Sequence, residues 1–367
     1  MIPTVVEISL SALRHNLRQV AGRVGTVSII AVVKANAYGH GVVPVARTLL
    51  EAGAHQLGVA TLAEGQELRQ AGITAPILVL SGIFPEDMSL LQELNLTPVL
   101  PSRDALLMAG RRGTPRSAPL PVHLKVDTGM SRLGLTREEF LDLLRSDWPP
   151  TLRLEGLMSH LASADAREAE SAEAQLARFR DLLDAAKAAG LAVPAAHIAN
   201  SAAILRFPAS YFDCVRPGLM LYGYVNGPTA AADLRPALSW KTRIMQVKQV
   251  GAGQPVSYGG TFVTSRPSTL AILPVGYADG YSRALSNRGH VLVGGRAVPI
   301  VGRVCMDLTV VDVTALPEAR PGDEAMLLGR QGAAAITADD LAAWQDTISY
   351  EVLCRISPRL TRVYLED

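Results

Sequence analysis

Short apolar or β-branched runs alternate with amphipathic stretches over residues 1–225 of the chain. Eight runs have the length and composition of buried strands: 27–33, 56–60, 77–80, 97–100, 122–126, 154–158, 195–199 and 215–221. Apolar residues recur every three or four positions in the intervening segments 62–71 and 174–189, which predicts helices. Eight strands alternating with helices predict an α/β fold, a (β/α)8 barrel of the TIM type. An open, doubly wound sheet is the alternative topology.

The pattern changes after residues 226–228, where helical periodicity gives way to short strand-like runs separated by Gly and Pro. We therefore predict a barrel domain over 1–230 and a mostly β domain over 231–367. One short helix, over 337–344, interrupts the second domain, with Thr337 at its N-cap and Asp339 and Asp340 in its first turn.

Composition narrows the class of protein. The chain has 367 residues, and its 35 basic side chains balance 34 acidic ones, which argues against nucleic acid or an anionic membrane as a partner. No apolar run reaches the length of about 18–20 residues that a membrane span needs. Glu7 and Arg14 interrupt the start of the chain, so we expect no signal peptide. Three widely spaced cysteines are typical of reduced thiols, and we expect a cytoplasmic protein that acts on a small molecule.

Polar residues follow the predicted strands at the face where TIM barrels place their chemistry. They are Lys34 after strand one; Lys125, Asp127, Thr128 and Arg132 at strand five; His160 after strand six; Asn200 and Ser201 after strand seven; and Arg216 and Gly218 at strand eight. Lys34 ends a strongly apolar strand, and partial burial favours the neutral, nucleophilic form of an amine. The alternative is a lysine whose ammonium group extends to solvent.

Other residues at this face also have two interpretations. The loops that hold Ser201 and Gly218 are where TIM barrels often bind phosphate, but Ser201 is equally suited to be a helix N-cap. Arg216 is compatible with a structural ion pair, and His160 with a satisfied buried histidine. The sequence has no His-Glu-x-x-His and no acidic cluster with metal-ligand spacing, so we predict no metal site.

Motifs in both halves of the chain together resemble the alanine racemase family. The matching segments, in family order, are 31–41, 124–134, 197–201, 216–223, 256–260, 276–280, 301–307 and 347–351. The resemblance implies a pyridoxal 5′-phosphate (PLP) enzyme with a barrel, a β domain and a head-to-tail homodimer. It implies an isomerase that interconverts L- and D-alanine and supplies D-alanine for bacterial peptidoglycan.

The resemblance also assigns roles. Lys34 would bind PLP covalently and act as one catalytic base, with Tyr258 of the other subunit as the second. Arg132 would contact the PLP phenolic oxygen and the substrate carboxylate, and Tyr277 and Met306 from the partner would narrow the entrance. The remaining cofactor-binding positions, around the phosphate and the pyridine ring, are Tyr38, His160, Asn200, Ser201, Arg216, Gly218, Leu219 and Tyr350.

Lys125 matches a lysine that is often carbamylated in this family. A carbamate would be an anion able to hold Arg132 by a charge-assisted pair. The alternative is an unmodified Lys125 paired with Asp127.

Two other classes of PLP protein share this kind of barrel. Amino-acid decarboxylases use a cysteine-bearing loop, and the match of the tyrosine loops argues against them. Non-catalytic PLP-binding barrels lack the second domain that carries Tyr258 and Tyr277 here.

Overall fold

The computed structural model describes residues 4–112, 118–227 and 232–366. Its contacts divide the chain into two units. Among the described residues, the barrel unit takes those within Ala12–Ala37 and Val42–Arg235, and the β unit takes those up to Ser11, Tyr38–Gly41 and those from Pro236 to Glu366. The predicted domain boundary, between residues 230 and 231, lies outside the described residues.

The barrel unit contains one parallel sheet of eight strands. In chain order they are Ser28–Val32, Gln56–Val59, Ile77–Val79, Thr97–Leu100, Leu120–Lys125, Leu152–Met158, Ala195–His197 and Cys214–Val215. The last strand pairs in parallel with the first, and Asp213 N donates to Ala196 O at 3.0 Å beside the seventh. The sheet therefore closes nearly completely, and the predicted barrel is confirmed, whereas the doubly wound alternative is wrong. Of the eighth predicted run, 215–221, only Val215 belongs to the strand, since Leu219–Tyr222 forms a 3₁₀ turn.

Helices connect the barrel strands. They are Leu10–Val24, Val42–Glu51, Leu62–Gln70, Met88–Glu93, Arg103–Arg112, Arg137–Leu143, Glu170–Ala188 and Ser201–Arg206, with one-turn 3₁₀ helices at Pro85–Asp87, Pro208–Ser210 and Leu219–Tyr222. Thr61 and Thr136 begin two of these helices, each in a capping box with the glutamate three residues later. The interior of the barrel is apolar near Ile30, Val99 and Met158.

The β unit is built mainly on a seven-stranded sheet and a three-stranded sheet. The larger sheet contains Val5–Ser9, Leu238–Arg243, His290–Val293, Arg296–Pro299, Glu324–Gln331, Ala334–Ile336 and Thr361–Leu365; the smaller contains Gln246–Val250, Ser268–Leu273 and Thr309–Asp312. Pro255–Val256 and Phe262–Val263 form a short hairpin. The helices are Ala338–Gln345 and Ser349–Cys354, with 3₁₀ turns at Tyr258–Gly260, Tyr277–Asp279 and Arg283–Leu285.

The predicted helix of the second domain is confirmed, since Thr337 Oγ1 accepts from Asp340 N at 3.1 Å. The first strand of the chain differs from the prediction, which placed residues 1–11 with the barrel. Val5–Ser9 pairs antiparallel with Leu238–Arg243 and parallel with Thr361–Leu365. Val6 and Ile8 are the two buried residues of this strand. An alternating pattern with only two buried residues is too short to predict a strand from the sequence.

Candidate active site

Lys34 follows the barrel strand Ser28–Val32 and opens a turn of left-handed backbone. The four residues at 35–38 have φ of 52–53°. Residues with a Cβ adopt this region at a cost of roughly 1–2 kcal/mol each. Ala37 N donates to Val33 O at 2.9 Å, and Asn36 Oδ1 accepts from Val42 N at 2.7 Å, so both backbone and side chain stabilise the turn. Strain of this kind persists only where neighbours impose it, and it is concentrated at functional sites.

Arg216 is the most constrained cation of the barrel. Its side chain is buried, and Nη2 donates to Ser159 O at 2.7 Å and to Ile198 O at 3.2 Å. Nη1 donates to His197 Nδ1 at 2.7 Å, and Nη2 also reaches His160 Nδ1 at 3.2 Å. Burial lowers the pKa of Arg216 to about 10, so the guanidinium stays charged near neutral pH. The structural ion pair considered from sequence is wrong, because these partners are carbonyls and imidazoles.

Because arginine only donates, both imidazoles accept at Nδ1. His197 therefore carries its proton on Nε2, which lies 2.8 Å from His123 Nδ1 and donates to it. Burial and the Arg216 charge lower the pKa of His123 to about 4 and that of His197 well below its usual value. Both rings are thus neutral near pH 7. His197 thus contacts the Arg216 guanidinium directly, and His123 in turn fixes the His197 ring.

Gly156 makes room for this histidine pair. A Cβ at position 156 would lie 2.3 Å from His123 Nδ1, so only glycine fits beside the ring. His123 and His197 received no role from the sequence analysis. The sequence feature that could have identified them is a polar side chain within an apolar barrel strand, because a buried polar group needs a hydrogen-bond partner.

His160 is held through its backbone as well as its ring. Gln175 Nε2 donates to His160 O at 3.0 Å and to Thr128 Oγ1 at 3.2 Å. Thr128 Oγ1 lies 2.8 Å from Ser159 Oγ, which extends the network to the residue before His160. Burial, followed by the Arg216 charge, lowers the pKa of His160 well below its usual value. The ring is therefore a neutral acceptor.

Ser201 joins the loops after barrel strands seven and eight. Its Oγ accepts from Gly218 N at 2.9 Å and from Met220 N at 3.2 Å. The helix Ser201–Arg206 is capped by Asn200, whose Oδ1 accepts from Ala203 N at 3.0 Å. The N-cap interpretation of Ser201 is therefore wrong by one residue, and its hydroxyl instead holds the backbone around Leu219.

Lys125 is buried among other cations. Burial, followed by the positive charges of Arg132, Arg216 and Lys34, lowers the pKa of Lys125 to about 8, and the opposing charge of Asp127 only partly offsets this. Asp127 Oδ1 accepts from Gly129 N at 2.8 Å and from Met130 N at 2.9 Å. Across the described ranges no ion pair within 4 Å joins Lys125 to Asp127, so that alternative is wrong for the unmodified chain.

Arg132 lies on an exposed turn at the same end of the barrel. Four basic groups thus converge there, since the charges of Lys34, Lys125, Arg132 and Arg216 all act on His160. Such an excess of positive charge suits an anionic ligand. No group of three or more His, Cys, Asp or Glu able to hold a metal occurs in the part of the chain that the structure describes.

The β unit presents three side chains outward from glycine-rich turns. Tyr258 is 74%, Tyr277 44% and Met306 54% exposed. The turns of Tyr277 and Met306 are joined by the backbone: Tyr277 N donates to Cys305 O, and Ala278 N to Met306 O, both at 3.0 Å. A Cβ at Gly276 would lie 2.3 Å from Cys305 O and Met306 O, so glycine permits this approach.

Tyr38 and Tyr350 lie together in the β unit, with ring centroids 5.8 Å apart. Burial, with Tyr350 next in effect, raises the pKa of Tyr38 above its usual value. Tyr38 is therefore a protonated phenol throughout the physiological range.

Among the described residues, no helix is long and apolar enough to cross a membrane.

Comparison with known proteins matches both units. The family model for the N-terminal domain of alanine racemase matches residues 8–226, and that for its C-terminal domain matches 237–364. The chain belongs to the alanine racemase family. It is 46% identical over 366 residues to the alanine racemase of Halothermothrix orenii, covering 99% of this chain and 97% of the relative.

Solved structures agree with this assignment. The alanine racemase of Streptomyces lavendulae superimposes with a TM-score of 0.93 at 39% identity, covering 100% of this chain and 97% of that one. The alanine racemase of Bartonella henselae, solved with covalently bound PLP, superimposes with a TM-score of 0.91 at 32% identity over 100% of both chains. This chain is accordingly a PLP-dependent isomerase acting on alanine, as the resemblance predicted.

The barrel residues fit such a cofactor. PLP carries an anionic phosphate and a phenolic oxygen, and the converging cations and the Ser201 loop provide complementary groups. The structure brings together, within the barrel unit, Lys34, Lys125, Arg132, His160, Asn200, Ser201, Arg216, Gly218 and Leu219. Tyr38, Tyr258, Tyr277, Met306 and Tyr350 belong to the β unit.

Proposed function

We propose that the chain racemises alanine with two fixed bases, Lys34 from one subunit and Tyr258 from a second copy. The observation that carries this proposal is the convergence at one barrel end of Lys34, Arg216 and two further cations. A strand-end amine amid positive charge suits an anionic aldehyde cofactor, which Lys34 would bind covalently.

PLP, when bound, delocalises the negative charge left on the substrate Cα after proton removal. The protein must then remove a proton from one face and return a proton to the other. Two bases on opposite faces avoid any need for one base to move between them. We assign the face of the D isomer to Lys34 and that of the L isomer to Tyr258.

Arg216 would face the pyridine nitrogen of PLP. A guanidinium can only donate a hydrogen bond there and cannot take up the proton of a protonated ring. Arg216 would therefore keep the bound cofactor a weaker electron sink than an aspartate would, and this would disfavour decarboxylation and transamination. The neutral imidazoles of His197 and His160, both acceptors toward Arg216, support this orientation.

The cofactor phosphate would be bound by residues at the ends of strands seven and eight. The geometry that supports this is the Ser201 hydroxyl, which already orders the backbone at Gly218 and beyond. By family position, the remaining phosphate-binding residues are Tyr38, Leu219 and Tyr350.

The exposed side chains of the β unit support a head-to-tail dimer. Tyr258 is largely exposed, so its phenol is available to a second copy. Tyr277 and Met306, on turns joined to one another, would narrow the partner's entrance and restrict the substrate to small side chains. The site is then complete only in the dimer, and its product, D-alanine, would supply bacterial peptidoglycan.

We also propose that Lys125 is carbamylated. Its pKa near 8 leaves part of the amine neutral at physiological pH, and the neutral amine is the form that attacks CO2. The new N–C bond gives a carbamate anion and releases one proton. That anion would turn the unfavourable contact with Arg132 into an attraction, which orients Arg132 toward the substrate carboxylate and the phenolic oxygen.

The test is direct. The purified protein with PLP is incubated with L-alanine, and D-alanine is measured by chiral chromatography, with Lys34→Ala as the variant. We expect D-alanine from the wild type and a loss of roughly 10³-fold or more in the variant, because the variant lacks both the covalent link and one base. Wild-type protein without D-alanine formation would overturn the proposal.

A further inference from the structure

Glu64 uses its two carboxylate oxygens for two different segments. Its Oε2 accepts from Thr61 N at 3.2 Å and from Ala60 N at 2.6 Å, while Thr61 Oγ1 accepts from Glu64 N at 3.3 Å. The two bonds between Thr61 and Glu64 form the capping box at the start of helix Leu62–Gln70, and the bond from Ala60 N is additional to it. They account for Oε2 alone.

The other oxygen reaches the turn that begins at Lys34. Glu64 Oε1 accepts from Ala35 N at 2.7 Å. The N–H of Ala35 belongs to the peptide group whose carbonyl is that of Lys34. The bond therefore fixes the peptide plane from which the Lys34 side chain extends.

This peptide plane needs external support. Ala35 and Asn36 are exposed, so apolar packing does not hold them in the left-handed region. That region is unfavourable for residues with a Cβ, and the turn would otherwise relax. Asn36 anchors one end through Val42 N, and Glu64 anchors the end next to the lysine.

We propose that Glu64 is a positioning residue for Lys34: it orients the lysine for capture of the cofactor aldehyde and for proton transfer. This inference rests on the proposed role of Lys34. Small displacements of a reacting group reduce rates strongly, up to about 10²-fold for 1 Å.

The chain offers a matched control. Thr136 and Glu139 form the same capping box, with Thr136 N donating to Glu139 Oε2 at 2.8 Å and Glu139 N donating to Thr136 Oγ1 at 3.1 Å. Among the described residues, Glu139 makes no bond to the backbone of a strand-end turn. Glu64→Ala and Glu139→Ala therefore each remove a capping box, but only the first also removes the bonds from Ala35 N and Ala60 N.

The experiment compares the wild type, both alanine variants and Glu64→Gln, all as PLP-loaded protein. We measure hydrogen–deuterium exchange at the Ala35 amide, the PLP dissociation rate, kcat and KM for alanine, and Tm. We expect both alanine variants to lose Tm, because both lose a cap, with the larger loss in Glu64→Ala, which also lacks the bonds from Ala35 N and Ala60 N. We expect Glu64→Ala alone to speed Ala35 exchange and PLP release by about 10-fold and to lower kcat by about 10-fold, with KM nearly unchanged.

Glu64→Gln keeps one acceptor oxygen, so its Ala35 exchange rate and its kcat should lie between those of the wild type and those of Glu64→Ala. This variant still tests the inference if Glu64→Ala fails to fold. Equal exchange, PLP release and kcat in Glu64→Ala and Glu139→Ala would reduce Glu64 to a helix cap and overturn the inference. Failure of the proposed function is separate, since it would show as PLP binding and turnover that survive Lys34→Ala.

Discussion

The barrel end and the turns of the β unit prepare their functional side chains in opposite ways. In the barrel, Arg216 and His197 are buried and bonded side chain to side chain, so each orientation is set within one chain. In the β unit, the backbones of the turns that carry Tyr277 and Met306 are bonded to each other, and the side chain of Tyr258 stays largely exposed. A side-chain network preorganises the first region, whereas the second needs another surface to complete it.

The largest effect should come from separating the two proposed bases between chains. Lys34→Ala and Tyr258→Phe should each lose roughly 10²–10⁴-fold or more in activity, since each lacks a general base. Chains mixed in equal amounts and allowed to exchange form about half heterodimers, each with one intact site if the bases come from different subunits. We expect the mixture to recover about a quarter of the wild-type activity.

The same variants also assign each base to a face. Tyr258→Phe should lose deuterium exchange at Cα mainly from L-alanine, with exchange from D-alanine better preserved, as followed by NMR. A mixture that stays inactive would place both bases in one chain. An equal loss of exchange from both enantiomers would contradict the facial assignment.

Arg216→Glu should give the next largest effect. A carboxylic acid beside the pyridine nitrogen favours a protonated ring and a stronger electron sink. We expect racemisation to fall by roughly 10²-fold and pyruvate formed by transamination to rise, as measured by coupled assay. Arg216→Lys keeps the charge but loses the planar fork, so it controls for disruption of the His197 contact. Unchanged racemisation and no added pyruvate in Arg216→Glu would count against this role.

The sequence located most of the barrel end but not its internal bonding. Apolar runs defined the eight strands, and positions at their ends then named Lys34 and Arg216. The histidine pair was missed because the partner of His197 is His123, 74 positions away, and only the closed barrel brings them to 2.8 Å.

Two other features also escaped prediction, for related reasons. The left-handed turn after Lys34 contains Ala35 and Ala37, residues that give no local signal for positive φ. The strand Val5–Ser9 is defined by pairing with segments more than 200 residues away. The local pattern of apolar residues predicts most helices and strands, but the turn after Lys34 and the strand Val5–Ser9 are set by hydrogen bonds to residues distant in sequence.

Lys125 offers a smaller effect, visible in the dependence of stability on pH. Its folded pKa of about 8 lies below the usual 10.5, so the unfolded chain binds more protons between these values. Stability should therefore rise with pH from about 8 to 10.5, as a destabilisation of roughly 3 kcal/mol at pH 7 is relieved. In CO2-free buffer, Lys125→Met should have a higher Tm than the wild type at pH 7, and the difference should shrink by pH 10.

Bicarbonate gives the control for this prediction. Carbamylation removes the buried positive charge, so added bicarbonate should raise the Tm of the wild type at pH 8 and leave Lys125→Met unchanged. Mass spectrometry under native conditions should show an added 44 Da on the wild type, the mass of CO2. Equal responses of both proteins to bicarbonate would argue against a carbamate at Lys125.

The smallest predicted effect concerns Arg359, which bridges the two turns of the β unit through side chains. Its Nε donates to Asp279 Oδ1 at 2.7 Å and its Nη2 to Asp307 Oδ1 at 2.8 Å. Asp279 is buried and accepts from Gly276 N at 2.9 Å, so this bridge is tied to the turn that carries Tyr277.

Arg359→Gln should loosen both turns while their backbone bonds remain. Because Tyr277 and Met306 would only narrow the entrance, we expect a rise of about 2–5-fold in KM for alanine, little change in kcat and a gain in the relative rate with serine. Arg320→Gln, which removes an exposed arginine 3.5 Å from Asp323, is the control for lost surface charge. A similar KM in both variants would mean that the backbone bonds alone hold the turns. The barrel end would then be ordered by side-chain bonds and the turns of the β unit by backbone bonds.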